Sequence, residues 1–374
     1  MRDVFIISDN ILSPLGFTAA ENFDLLLKSA SGIKMHVDDS MSDVPFYASL
    51  IDNLDGLVID TAGFTKFEQL LIASVNGALE NCAVDPSDKK TILIISTTKG
   101  NISLLESETA DTGERISLHH SAKQVARYCK FVNEPVVVSN ACISGLLGMI
   151  VGMRLIQSGQ YEHAVVAGAD VVSKFVLSGF QSFHAISNEP CKPFDEERNG
   201  INLGEAAGTV VLSANKAYSN GISIKSGAVS NDANHISGPS RTGEELFHAI
   251  SKSMKSAGLA ADDIGFISAH GTATLYNDEM EAKAITLAGM QSIPVNSLKG
   301  YYGHTLGAAG LIESVISIHS LKSGVVIPTK GFSKMGVTKP VNVCSNIEKT
   351  VLNNCLKTAS GFGGCNAAII ISKQ

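Results

Sequence analysis

Pro135-Val-Val-Val-Ser-Asn-Ala-Cys142-Ile-Ser-Gly-Leu-Leu-Gly-Met-Ile-Val-Gly-Met-Arg154 is the stretch from which the 374-residue chain is best read. Val136 to Val138 are β-branched and predict a short buried strand. It passes without a linker into a helical stretch that stops near Ser158-Gly159. Cys142 thus falls at the turn, close to the first helical turn, where unpaired N–H groups and the positive dipole end face it. That setting is expected to lower the thiol's pKa and make the thiolate a nucleophile. Gly145, Gly148 and Gly152 recur on one face of the helix, and each costs roughly 1 kcal/mol against Ala in a helix interior. Their spacing predicts another backbone packed very close. A buried Cys beside a small-residue packing face also fits this stretch.

The rest of the composition narrows the class. Apolar residues make up 44% and charged ones 17%, with 34 Gly and no Trp. This suits an enzyme with a large interior, in two domains or halves. A formal charge of −7 without a basic stripe argues against a nucleic-acid partner. Seven scattered Cys without a C-x-x-C pair suit a reducing, cytoplasmic setting rather than a disulfide framework or zinc site. Met-Arg-Asp-Val-Phe-Ile-Ile-Ser lacks signal-peptide character, and Leu146 to Met153 is too short and Gly-rich to span a bilayer. No membrane association is expected.

Strands alternate with helical stretches, so an α/β fold is expected. Residues 101–134 are polar and harder to assign. The order also repeats. Ala78 to Gly100 and Ser253 to Thr274 each run helix, Asp-containing turn, β run, polar loop. Pro135 to Gly159 is echoed by Pro294 to Gly324. Halves of 1–215 and 216–374 follow, although βαβ units can also resemble one another by chance. The echo places Cys142 and His304 at equivalent helix starts. A second small-residue stripe, Gly303, Gly307 and Gly310, would let the two helices cross closely and bring both residues into one pocket.

His270, in Ala269-His-Gly-Thr-Ala-Thr274, and His304, in Lys299-Gly-Tyr-Tyr-Gly-His-Thr-Leu-Gly-Ala-Ala-Gly310, both follow strands and stand among Gly and Thr. With Asn140-Ala-Cys-Ile-Ser-Gly145, Lys299, Gly361-Phe-Gly-Gly-Cys-Asn366, Lys192-Pro-Phe-Asp-Glu-Glu-Arg-Asn-Gly200 and Leu203-Gly-Glu-Ala-Ala-Gly208, the chain resembles the β-ketoacyl-[acyl-carrier-protein] synthases of the thiolase-like superfamily. The resemblance implies a duplicated five-layer αβαβα fold, usually dimeric as a homodimer or with a related subunit. It also implies a decarboxylative Claisen condensation. Cys142 would carry the acyl chain, and the backbone amides of Cys142 and Phe362 would hold the oxyanion. His270 and His304 would stabilise the enolate, with Lys299 and Glu281 as a supporting charged pair. Thr272 and Thr274 would hydrogen-bond the phosphopantetheine arm, and Phe362 would gate the acyl pocket. No cofactor of its own is implied, because the substrates ride on the 4'-phosphopantetheine of acyl carrier protein.

The chain departs from the pattern at Asn140, Ile143 and Cys365, and is short within residues 101–134. These differences bear on chain length and pathway, fatty acid or polyene and polyketide. A thiolase is disfavoured because Cys365 follows Gly363-Gly364 and His270 has no thiolase counterpart of this form. A non-catalytic partner subunit would usually lack the nucleophile. His119-His120 and the other histidines lack metal-ligand spacing, so no metal is expected. Lys66, Lys123, Arg127 and Lys130 could form a patch for an acidic carrier protein or simply a solvated surface.

Overall fold

The computed structural model describes residues 2–54, 63–106, 113–233 and 236–374. The five strands that the first half contributes to the large sheet are β1 (Phe5–Leu12), β2 (Thr91–Ser96), β3 (Val136–Val138), β4 (His163–Asp170) and β5 (Ala206–Ser213). Their counterparts are β6 (Ile222–Asn231), β7 (Phe266–Ser268), β8 (Pro294–Asn296), β9 (Asn354–Gly361) and β10 (Cys365–Lys373). The order across the sheet is β3-β2-β4-β5-β1-β6-β10-β9-β7-β8, with Asn342–Val343 beyond β8.

Read outward from the seam between β1 and β6, the two sides repeat one pattern. β2 runs parallel to β3 and β4, while β4, β5 and β1 pair antiparallel in turn. β7 runs parallel to β8 and β9, while β9, β10 and β6 pair antiparallel in turn. The seam itself is short, Phe5 with Ser223 and Ile6 with Ile222.

Helices lie on both faces, and the alternation along the strands says which face meets which helix. In β2, Leu93 and Ile95 join Phe67, Leu71 and Val75 of α1 (Lys66–Leu79) and Ala122 and Val125 of α2 (Leu118–Tyr128) in one outer core. Ile92 and Ile94 turn inward to α3 (Ser144–Gln157). On the far side, Ile267 and Val295 pack on α5 (Glu244–Ala257) and α6 (Leu275–Leu287). Two further helices bear on the site, α4 (Lys174–Ser182), near the cavity described below, and α7 (Ala309–Ser323), which shares the central core with α3. The layering is αβαβα, thiolase-like. Where a strand is covered on both faces, the run is continuously buried, as in Thr91-Ile-Leu-Ile-Ile-Ser96.

Local signals set the helix ends. Thr65 and Glu68 form a reciprocal capping box at the start of α1, and Gly324, in the left-handed region, closes α7. The polar stretch 101–134 contains two short 3-10 turns and α2, and residues 107–112 of it lie outside the described residues. Among the elements the sequence does not predict, the two that matter to the site are α4 and the polar strand β9.

The close crossing of small-residue helices occurs at one point. A Cβ on Gly145 would stand 2.9 Å from the Gly307 carbonyl and from the Leu311 backbone nitrogen, and one on Gly310 would stand 3.0 Å from Leu146 Cβ. Gly148 and Gly152 face strands instead, against Ser96, Val166 and Leu212. At an uncrowded helix position Gly→Ala stabilises by about 1 kcal/mol. Gly145→Ala should instead destabilise by about 1–3 kcal/mol through overpacking. A urea midpoint that rises on this substitution would mean that the crossing tolerates a methyl.

Candidate active site

The turn after β3 is held open by its own side chains. Ala141 sits at φ 44°, a left-handed conformation unusual for a residue with a Cβ. Ser144 fixes it by accepting from the Asn140 N–H at 2.8 Å and donating to the Ala141 carbonyl at 2.7 Å. Cys142 is thereby presented two residues ahead of α3, nearly buried. His304 reaches it from the other half, with Nε2 3.1 Å from Sγ. Gly303, at φ 67°, makes this approach possible, since a Cβ there would lie 2.5 Å from the Leu203 carbonyl. The His304 N–H donates to the Asn202 carbonyl at 2.7 Å, and the Gly204 N–H to the His304 carbonyl at 3.1 Å.

His270 stands where β7 ends. Its ring and that of His304 meet edge to face, centroids 5.2 Å apart. The reactive atoms of Cys142, His270 and His304 all lie within 4.8 Å of one another. The shared pocket expected from the repeat is present.

The expected pairing of Lys299 with Glu281 is not. Glu281 instead holds the His270 loop, accepting from the His270 N–H at 2.6 Å, the Gly271 N–H at 2.7 Å and the Thr358 hydroxyl at 2.7 Å. It lies on α6, which begins directly after that loop, so the loop amides are its nearest donors. Lys299 pairs with Glu313 of α7, donates to the His270 carbonyl at 2.9 Å and stands 3.5 Å from His270 Nδ1. The other oxygen of Glu313 meets Lys357 Nζ at 2.6 Å.

Four further residues at the site carry no motif in the sequence. Glu313 is the one carboxylate of α7 and stands within its small and apolar first two turns, and that oddity was its available signal. Lys357 lies in the unrecognised strand β9. Asp170, at the end of β4, accepts from Thr97 Oγ1 at 2.8 Å and from the Gly307 N–H at 2.7 Å, tying the first half to the turn after His304. Asp278 accepts from the Thr272 N–H at 2.9 Å and the Phe194 N–H at 2.8 Å.

Electrostatics reverse one expectation. Burial pushes the Cys142 thiol up to about 12, helped by Cys365 and Asp170, while Lys299 and the hydrogen bond from the Phe362 amide pull the other way. The start of α3 does not outweigh desolvation. Burial, followed by Lys299, also holds His304 well below the usual imidazole range. His270 is lowered by burial first, then by Lys299, His304 and Lys357. Near neutral pH the resting site therefore contains a thiol and two uncharged imidazoles. The Lys299 ammonium beside Nδ1 makes that nitrogen an acceptor and leaves the His270 proton on Nε2.

These three groups line a cavity of about 340 Å³ together with Thr272, Thr274 and Phe362. The two threonine hydroxyls are 2.9 Å apart. The Phe362 ring, 37% exposed at the mouth, stacks on Phe180 of α4 (5.9 Å) and meets Phe183 edge-on (5.5 Å). A Cβ on Gly361 would lie 2.9 Å from the Cys142 nitrogen, so only Gly lets the two amide-bearing segments close together. A thiolate with two imidazoles is also a donor set that zinc accepts. The ammonium groups of Lys299 and Lys357 beside it disfavour a cation. Of the candidate basic patch, Lys66 is paired with Glu205 (2.6 Å) and Lys123 with Glu134 (3.3 Å). Among the described residues no helix is long and apolar enough to cross a membrane.

The comparisons agree with this geometry. Residues 1–217 match the β-ketoacyl synthase N-terminal domain and residues 222–333 the β-ketoacyl synthase C-terminal domain. The 3-oxoacyl-[acyl-carrier-protein] synthase 2 of Vibrio cholerae is 29% identical over 421 residues, covering 100% of this chain and 99% of that one. A synthase of the same name from Rhizobium meliloti is 31% identical, over 70% of this chain and 65% of its own. A β-ketoacyl synthase from Burkholderia phymatum superposes with a TM-score of 0.91 at 21% identity, each chain covered fully. A ketosynthase solved in complex with its chain length factor from Xenorhabdus doucetiae gives 0.89 at 23% identity, covering 100% and 98%. At these identities the solved structures speak for the fold. The chain belongs to the β-ketoacyl synthase family, acyl-transferring enzymes that form carbon–carbon bonds.

Proposed function

We propose that Cys142 accepts an acyl chain from acyl carrier protein and that the site then condenses it with a malonyl unit on the same carrier. The observation that carries this reading is the 3.1 Å approach of His304 Nε2 to the Cys142 sulfur at the base of the cavity. A thiol whose pKa is raised needs a base at the moment of attack, and a neutral imidazole within hydrogen-bond reach is that base. Sulfur attacks the thioester carbon while its proton passes to His304. The oxyanion is received by the amides of Cys142 and Phe362, and the pantetheine thiol departs with the proton.

In the second half-reaction the malonyl carboxylate leaves as CO2, and its C–C electron pair moves onto the thioester as an enolate. His270 Nε2–H donates to that enolate oxygen. His304 joins it in its other tautomer, which the structure permits because Nδ1 has no hydrogen-bond partner among the described residues. The enolate carbon attacks the acyl-Cys142 carbonyl, the thiolate is expelled and takes up one proton from solvent, and a 3-oxoacyl thioester leaves. Thr272 and Thr274 hold the pantetheine arm, and Phe362 moves aside for the acyl chain. No cofactor of the protein's own takes part.

A dimer, with itself or with a related subunit, is the expected assembly, and the Xenorhabdus ketosynthase offers the precedent of a chain length factor partner. The converged thiol and imidazoles weigh against this chain being that non-catalytic partner. Free cysteines, most of them buried, suit a reducing compartment such as the cytoplasm. Whether the product enters fatty acid or polyene and polyketide synthesis depends on the acyl chain accepted.

Two measurements test the reading. Intact-protein mass spectra after adding acyl carrier thioesters should show one acyl group on Cys142, lost in Cys142→Ala. His270→Ala should still acylate within about threefold yet release CO2 from malonyl carrier protein at least about 100-fold more slowly. Undiminished CO2 release would remove the enolate role of His270. Separately, the raised thiol pKa means that thiolate is scarce at neutrality and grows as pH climbs. Alkylation of Cys142 by iodoacetamide, followed on its own peptide, should rise about tenfold per pH unit through about pH 9. A plateau near about pH 8 would show that the helix start outweighs burial after all.

A further inference from the structure

Lys357 is a fully buried ammonium to which the mechanism above gives no task. It lies on β9, in parallel register with Ser268 of β7, two residues before His270. Its Nζ donates to the carbonyls of Ser268 (3.2 Å) and Ala269 (3.1 Å) and meets Glu313 Oε2 at 2.6 Å. Glu313 therefore bridges Lys357 to Lys299, which itself grips the His270 carbonyl. Three consecutive carbonyls, those of Ser268, Ala269 and His270, are thus held by two ammonium groups that share one carboxylate. The next residue of β9, Thr358, reaches Glu281, which holds the amides of the same loop.

We propose that Lys357 is a positioning residue for the decarboxylation half-reaction, holding the end of β7 and sharing Glu313 with Lys299 so that His270 aims an uncharged Nε2–H at the enolate. The proposal rests on the reading of His270 given above. The hydrogen bonds and ion pair of Lys357 go to the Ser268 and Ala269 carbonyls and to Glu313 rather than to the nucleophile turn, so its loss should separate the two half-reactions. Its charge also bears on His270. The titratable groups around that ring are Lys299, Glu313 of α7, Glu281 and Asp278 of α6, Lys357 of β9, and His304 and Cys142 across the cavity. Lys357 is one of the cations that depress the imidazole, so removing it lets the His270 pKa move up toward its ordinary value. Any pH inflection that reports His270 then moves to higher pH.

The test compares wild type, His270→Ala, Lys357→Met and Lys357→Gln, with Cys142 acylation as the control for an intact site. Wild type must release CO2 from malonyl carrier protein and His270→Ala must not; if that pair fails, the reading of His270 fails, independently of Lys357. Lys357→Met should acylate within about threefold, release CO2 about 10- to 100-fold more slowly at unchanged KM, and show its acid-side inflection at higher pH. Lys357→Gln keeps an N–H donor without the charge, so it should recover part of the rate while the inflection stays shifted. Gln also stands in if the Met variant does not acylate. Normal CO2 release with an unmoved inflection in either acylating variant would overturn the proposal. So would equal losses in acylation and decarboxylation, which mark a merely structural residue.

Discussion

Everything at the site depends on how closely α3 and α7 can approach. Cys142 precedes one helix and His304 the other, and neither side chain is long enough to bridge an ordinary helix–helix spacing of 8–10 Å unless the helix starts converge. Gly145 against the Gly307 carbonyl and Gly310 against Leu146 remove the side chains that would hold them apart. The penalty of placing Gly in a helix is accepted at the crossing because proximity there puts an imidazole on a thiol. Gly303 and Gly361 serve the same end on the flanking turns, where a Cβ would meet backbone.

That proximity is purchased with burial, and burial decides the protonation states. A thiolate and an imidazolium side by side would be the usual guess for a Cys beside a His. Here desolvation moves the thiol up and both rings down, and Lys299 reinforces the effect on the rings. The uncharged trio suits two-stage chemistry. Sulfur needs a proton acceptor first, and the enolate needs N–H donors afterwards. Lys299 fixes the tautomer of His270, while His304, next to the sulfur, is left able to change.

Much of this was legible in the chain itself. Strands and helices stood out wherever both faces of an element are apolar, as in Thr91–Ser96, and the glycine spacing announced a close crossing. Cys142, His270 and His304 stood out because each occupies a strand-to-loop position among small residues, and the structure brings all three together. What could not be read was which charges meet. Glu281 and Glu313 are both carboxylates on helices following His270, and nothing in spacing distinguishes the one that faces loop amides from the one that faces Lys299. Asn354-Cys-Leu-Lys-Thr-Ala-Ser-Gly361 lacks the apolar run of a buried strand, because its interior position is taken by an ammonium whose partner is 44 residues away, on α7. Its fitness as a strand exists only once Glu313 is in place.

Four of the buried charged groups around His270 form one connected set. Lys299 and Lys357 contribute two positive charges, and Glu313 one negative charge between them. Glu281 contributes a second negative charge, satisfied by two amides and a hydroxyl rather than by an ammonium. An unpaired ion at this depth costs several kcal/mol, so the four are interdependent, and removing one strands another. The arrangement constrains position as much as charge. Each donor and acceptor in it ends on the backbone on either side of His270, or on a residue that does. A loop that carries three polar residues into a cavity would otherwise be the least rigid part of the site. The network makes it as well supported as the strand and helix it joins, which is what a hydrogen-bond donor aimed at a transient enolate requires.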